Sequence, residues 1–139
     1  MKKIFLLATL FAAYHAQSQT LNVNSSSACG ISLSVLASDP GTFNGAYHSV
    51  DIAVPAGTVA SYSSGTGIYW DGATPPVSAI ISGITVLDDG QLKRVGPIGS
   101  GYPSDLTLDN PCGANFVHLS WTSSGDGSGV IVIDDTTTR

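Results

Sequence analysis

Hydrophobic and polar residues alternate with a period of two along most of the chain beyond residue 30. Ile31, Leu33 and Val35 alternate with Ser32 and Ser34, and His48, Val50, Ile52 and Val54 alternate with Ser49, Asp51 and Ala53. Val117, Leu119 and Trp121 alternate with His118 and Ser120. Residues two apart share a face of a strand, so each run predicts a strand with one face in a core and one in water. Residues 59–62, 68–70 and 106–108 predict shorter strands. The longest apolar stretch, 77–87, is interrupted at Gly83, where a glycine inside a strand predicts a bulge or a close backbone approach. Asp88, Asp89 and Gly90 predict a hairpin turn into 91–95. The continuous run 130–133 predicts a strand covered on both faces.

These segments make eight or nine strands at intervals of roughly 8–12 residues, the spacing of an all-β fold. The expectation is one domain: a single antiparallel β-sandwich, jelly-roll-like or Greek-key, over residues 19–139. Trp121 follows both cysteines, which is not the Cys–Trp–Cys order of an immunoglobulin domain. Composition agrees. All ten acidic residues are Asp, none is Glu, and there are sixteen Gly and seven Pro. Asp, Gly and Pro favour turns, whereas Glu favours helices.

The first eighteen residues break the pattern. Lys2 and Lys3 precede an apolar run, 4–13, that falls short of the roughly 20 residues needed to cross a bilayer. Ala16-Gln17-Ser18 then supplies a small-x-small cleavage site. This predicts a cleaved secretory signal peptide over 1–18 and a secreted, periplasmic or cell-surface protein, with no membrane insertion of the mature chain. The style of the signal suggests a bacterial source. Cys29 has Ser26, not Leu, three places upstream and lies far beyond the apolar run, which argues against a lipid anchor.

Loss of Lys2 and Lys3 leaves Lys93, Arg94 and Arg139 against ten Asp, a net charge of −7. That balance excludes nucleic acid as a partner, since phosphate binding requires clustered cations. It equally disfavours anionic lipid. Export changes the reading of the two cysteines: in an oxidising compartment Cys29 and Cys112 predict a disulfide closing a loop of about 80 residues. A zinc site adding His48 and His118 has no supporting spacing.

No catalytic motif stands out. The run Gly125-Asp126-Gly127-Ser128-Gly129 resembles the Gly-Asp-Ser-Gly-Gly segment of trypsin-like proteases, but it is out of register and the chain is too short for that fold. His48 and Asp51, three apart on one predicted strand, would face opposite ways. His118 would need a carboxylate from elsewhere. Asp88/Asp89 and Asp134/Asp135 read as turn and tail residues rather than a glycosidase pair. No cofactor is expected. Calcium is the one candidate metal, through Asp88, Asp109, Asn110 and Asp126. The clearest ligand-binding candidates are Tyr69, Trp70, Asp71 and Tyr102, loop residues that offer a flat face for a sugar and a polar partner beside it. Three functions follow in order: a non-catalytic accessory or structural component of a bacterial cell surface, contacting a surface protein or glycan; a carbohydrate-binding module; and a small secreted hydrolase.

Overall fold

A computed structural model describes residues 20–109, 111–112, 116–123 and 128–137. The segment 1–18, expected to be a signal peptide, and the calcium candidates Asn110 and Asp126 lie outside the described residues. Within them the chain is all-β, with two sheets and no helix. Eleven strands replace the eight or nine expected. They are β1 (Thr20–Ser25), β2 (Ile31–Ser38), β3 (Tyr47–His48), β4 (Ile52–Val54), β5 (Val59–Ser64), β6 (Gly67–Ile68), β7 (Ile80–Asp88), β8 (Gln91–Val95), β9 (Asp105–Leu108), β10 (Phe116–Ser123) and β11 (Gly129–Thr136).

The first sheet runs β6-β5-β1-β11-β10-β9 and the second β3-β2-β7-β8, with β4 also on β2. Most pairings are antiparallel. Two are parallel, β1 with β11 and β5 with β6, which corrects the wholly antiparallel expectation. Inward-facing residues of both sheets meet in one hydrophobic cluster. Leu21, Val23, Leu119, Ile131 and Ile133 come from the first sheet, and Leu33, Val35, Ile84, Val86 and Val95 from the second. A buried aliphatic side chain of this kind contributes about 1.5–3 kcal/mol. Trp121 belongs to the cluster, as its alternation predicts, and its indole lies where a side chain on Gly129 would have to go.

Strand β1 was not expected at all, although Leu21 and Val23 alternate with Asn22 and Asn24. It occupies the middle of its sheet, antiparallel to β5 and parallel to β11. The predicted strand over 48–54 is two strands, β3 and β4, lying end to end along the same edge of β2. Between them Ser49 completes the ladder. Its N–H donates to the Val35 carbonyl, and its Oγ accepts from the Val35 N–H at 2.9 Å. A side-chain oxygen there stands in for a backbone carbonyl, so neither group of Val35 is left unpaired in the interior.

The stretch from 77 becomes a strand only at Ile80; Val77 stands 76 % exposed, ahead of a turn in which the Ala79 N–H donates to the Pro76 carbonyl. Gly83 sits where the β2–β7 register slips, as a strand glycine foretells. Its φ is 155°, and a Cβ there would lie 2.6 Å from the Val95 carbonyl oxygen. Ser82, at the bulge, is fully buried and accepts from Ser38 Oγ at 2.8 Å. The β7–β8 hairpin turns on Asp89 (φ 47°) and Gly90 (φ 74°), the two left-handed positions of a type I′ turn.

Strand β11 also departs from expectation. It reaches Thr136 and so includes Asp134 and Asp135, which the sequence places in a polar tail. Ile131 and Ile133 are buried, while Val130 and Val132 are only half covered, so the strand has one core face rather than two.

Candidate functional site

Tyr69, Trp70 and Asp71 follow β6 at the rim of the second sheet, facing β3. Trp70 makes a lone antiparallel bridge to Ser49, the Val50 N–H donates to the Tyr69 carbonyl, and the Asp71 N–H donates to the His48 carbonyl at 2.9 Å. The predicted aromatic strand is thus a rim segment tied to β3 by backbone bonds. Trp70 is half-buried, packs against the core cluster and donates its indole N–H to Ser64 Oγ at 2.9 Å. Both of its faces of interest, apolar body and polar tip, are engaged. Tyr69 remains 60 % exposed.

His48 finds its carboxylate here. Its Nε2 lies 3.6 Å from Asp71 Oδ2, not near Asp51, and both side chains are more than half exposed. Sequence spacing could not reveal the pairing, since 23 positions separate the two and only the β3 rim contact joins them. His118 likewise meets Asp105 across the β9–β10 pair, at 4.0 Å. Solvent-exposed pairs of this kind contribute little.

Tyr102 occupies separate surroundings. It lies on the 96–104 loop, with its ring against Gly83 and Gly96. Its hydroxyl donates to the Phe43 carbonyl at 3.0 Å and accepts from Arg94, whose guanidinium carbon is 5.4 Å from the ring centroid. Tyr102 therefore fastens a loop to the outer side of the second sheet through contacts that do not include the Tyr69–Asp71 rim.

The carboxylates do more than shape turns. Asp88 is 4 % exposed, pairs closely with Lys93 Nζ and accepts the Asp109 N–H at 3.1 Å. It borders an open cleft of about 440 Å³, lined also by Gly30, Asp89, Gly90, Asp109 and Pro111. Each Asp88 oxygen thus has a partner within the chain, one the Lys93 ammonium and the other the Asp109 N–H. Among the described residues no three His, Cys or carboxylate side chains gather as a metal site would require.

Asp134 and Asp135 grip the link between β1 and β2. Ser26 Oγ donates to Asp134 at 2.6 Å, Ser27 Oγ to Asp135 at 2.5 Å, and the Ala28 N–H to the other Asp135 oxygen at 3.0 Å. The Ser27 hydroxyl, followed by the Ala28 N–H, holds the Asp135 carboxyl below the usual carboxylate range. Ser27 Oγ also accepts from the Cys29 N–H. Cys29 and Cys112 then stand at disulfide distance, their Cα atoms 5.8 Å apart. This agrees with the expected pairing and leaves neither sulfur for zinc.

Scans against protein-family models, curated proteins and solved structures return no match for the chain.

Proposed function

We propose that this chain is a non-catalytic, exported β-domain that works by contact, as an accessory or structural component of a bacterial cell surface. Its finer architecture is a β-sandwich of the jelly-roll-like or Greek-key kind. The observation that carries the reading is how the reactive side chains are used. Asp88, Asp134, Asp135 and Tyr102 hold strands and loops together, and His48 and His118 sit in exposed pairs with Asp71 and Asp105. Large apolar side chains meanwhile face outwards. Leu87 and Leu92 are directly opposite each other on the β7–β8 hairpin and are 62 % and 74 % exposed. A cross-strand apolar pair of that exposure suits a contact surface.

The test is a pull-down of the tagged chain from the cell envelope and the culture medium, with bound proteins identified by mass. A stoichiometric protein partner is expected, and its capture should fall when Leu87 and Leu92 are both changed to Ser. Recovery of the chain alone from both fractions overturns the reading.

Sugar binding is the second reading, favoured by the exposed Tyr69 ring beside the His48–Asp71 pair. Tyr69→Ala is the informative variant, because Trp70 is tied into the core and its loss would disturb the fold. Glycan binding that survives Tyr69→Ala, or no binding across a glycan panel, removes this alternative.

A further inference from the structure

We propose that β1 is an exchangeable strand, and that the slot between β5 and β11 accepts β1 from a second copy of the chain. This goes beyond the contact reading above and uses a different part of the molecule from the Leu87–Leu92 pair. The slot is defined by topology. β5 and β11 are both bonded to β1 and not to each other, so the first sheet is continuous only through β1. The register places Leu21 opposite Tyr62 and Gly129, and Val23 opposite Ala60 and Ile131. What β1 brings is a backbone ladder on both sides and two fully buried side chains, Leu21 and Val23. An identical strand from another copy supplies the same contacts, which makes exchange a matter of mass action rather than of new complementarity.

The attachment of β1 fits this role. Its link to the body is Ser26–Ala28, since Cys29 is already fixed beside Cys112. Ser26 and Ala28 are exposed and Ser27 between them is buried, and the link is held chiefly by polar bonds: to Asp134, to Asp135, to the Ile133 carbonyl, and from the Gly57 N–H to the Ser27 carbonyl. Polar bonds near the surface trade readily for water, whereas buried apolar contacts do not. The two carboxylates act as a catch that keeps β1 in its own chain, and loosening the catch favours exchange.

Cross-linking between differently marked copies tests this. Asn22 and Ser61 are paired across β1 and β5, with Ser61 Oγ donating to Asn22 Oδ1 at 2.6 Å on the side away from the core. One exported chain carries Asn22→Cys and the other Ser61→Cys; a single chain carrying both is the folding control. The two single variants are concentrated together, oxidised, and mapped by peptide mass. Exchange predicts a 22–61 link between copies that is about tenfold more abundant than 22–22 links, because strand pairing raises the effective thiol concentration to the millimolar range. Adding Asp135→Ala to both chains should increase it further. If the double variant links within one chain while an equal mixture of the single variants gives 22–61 links at no more than the roughly twofold excess over 22–22 links that random thiol pairing produces, the proposal fails. A pull-down that finds a different protein partner leaves this outcome unaffected, and the reverse also holds.

Discussion

Ser49 shows how much a single hydroxyl can carry. It is 3 % exposed and serves the Val35 N–H at the point where β3 has ended and β4 has not begun. Ser49→Ala strands that N–H in the interior, and a buried unpaired donor costs about 1–3 kcal/mol. Urea denaturation should show a loss of that size without a change in slope. Gly129 makes the opposite demand. A Cβ there would come within 2.3 Å of the Trp121 ring, so Gly129→Ala forces the indole off its seat in the core. A loss of about 1–3 kcal/mol is expected, with an altered Trp fluorescence spectrum as the specific sign. Asp135 acts through charge. Its pKa is depressed in the folded chain, so its contribution is present above the ordinary carboxylate range and vanishes as pH falls through the lower, folded value. Asp135→Asn should lower stability most near neutrality, where the charge is present, and converge on the parent chain at low pH, so that the acid limb of a stability-against-pH curve flattens.

Among the elements, the link through Cys29 and Cys112 spans 83 positions and ties the head of β2 to the turn before β10. Replacing both cysteines with serine should lower stability by up to about 4 kcal/mol, read as a shift in denaturation midpoint that reducing agent reproduces in the parent chain. The pairing was legible because a chain with two cysteines has one possible internal disulfide. Strands with clean alternation were legible as well: β2, the β7–β8 hairpin and β10 all lie where period-two patterning puts them. What escaped depended on partners far off in sequence. β1 is six residues long and rich in Asn and Ser, so its alternation carries weight only because β5 and β11 flank it. The break between β3 and β4 turns on one serine side chain. Asp134 and Asp135 look like tail residues until Ser26, Ser27 and Ala28 arrive 107 or 108 positions away to meet them. The rim site was half legible: adjacency in sequence brings Tyr69, Trp70 and Asp71 together, but nothing local assigns Tyr102 to a different loop or delivers His48 to Asp71.

At the scale of the whole molecule, the two sheets differ in what protects their edges. In the second sheet β2 is covered by β3, Ser49 and β4, whereas β8 has a neighbour on one side only. Outward amides of an edge strand open to water without global unfolding, while those at the centre of a sheet require it. Hydrogen exchange should therefore be slowest along β7 and β10, each flanked on both sides by strands that stay in place, and fastest at alternate amides of β8. Slow exchange throughout β8 would mean that something covers this edge in solution.

The parallel pairing of β1 with β11 has a consequence for how the chain is made. These are the first and last of the described strands, and the sheet between them cannot close until both are in the same place. A polypeptide emerging from its amino end presents β1 early and can pair it with β5, but must leave its other side unmated while more than a hundred further residues appear. Contacts so distant along the chain are slow to form. The first sheet is thus complete only once β11 has appeared, whereas the second, built wholly from residues 31–95, can pair before it.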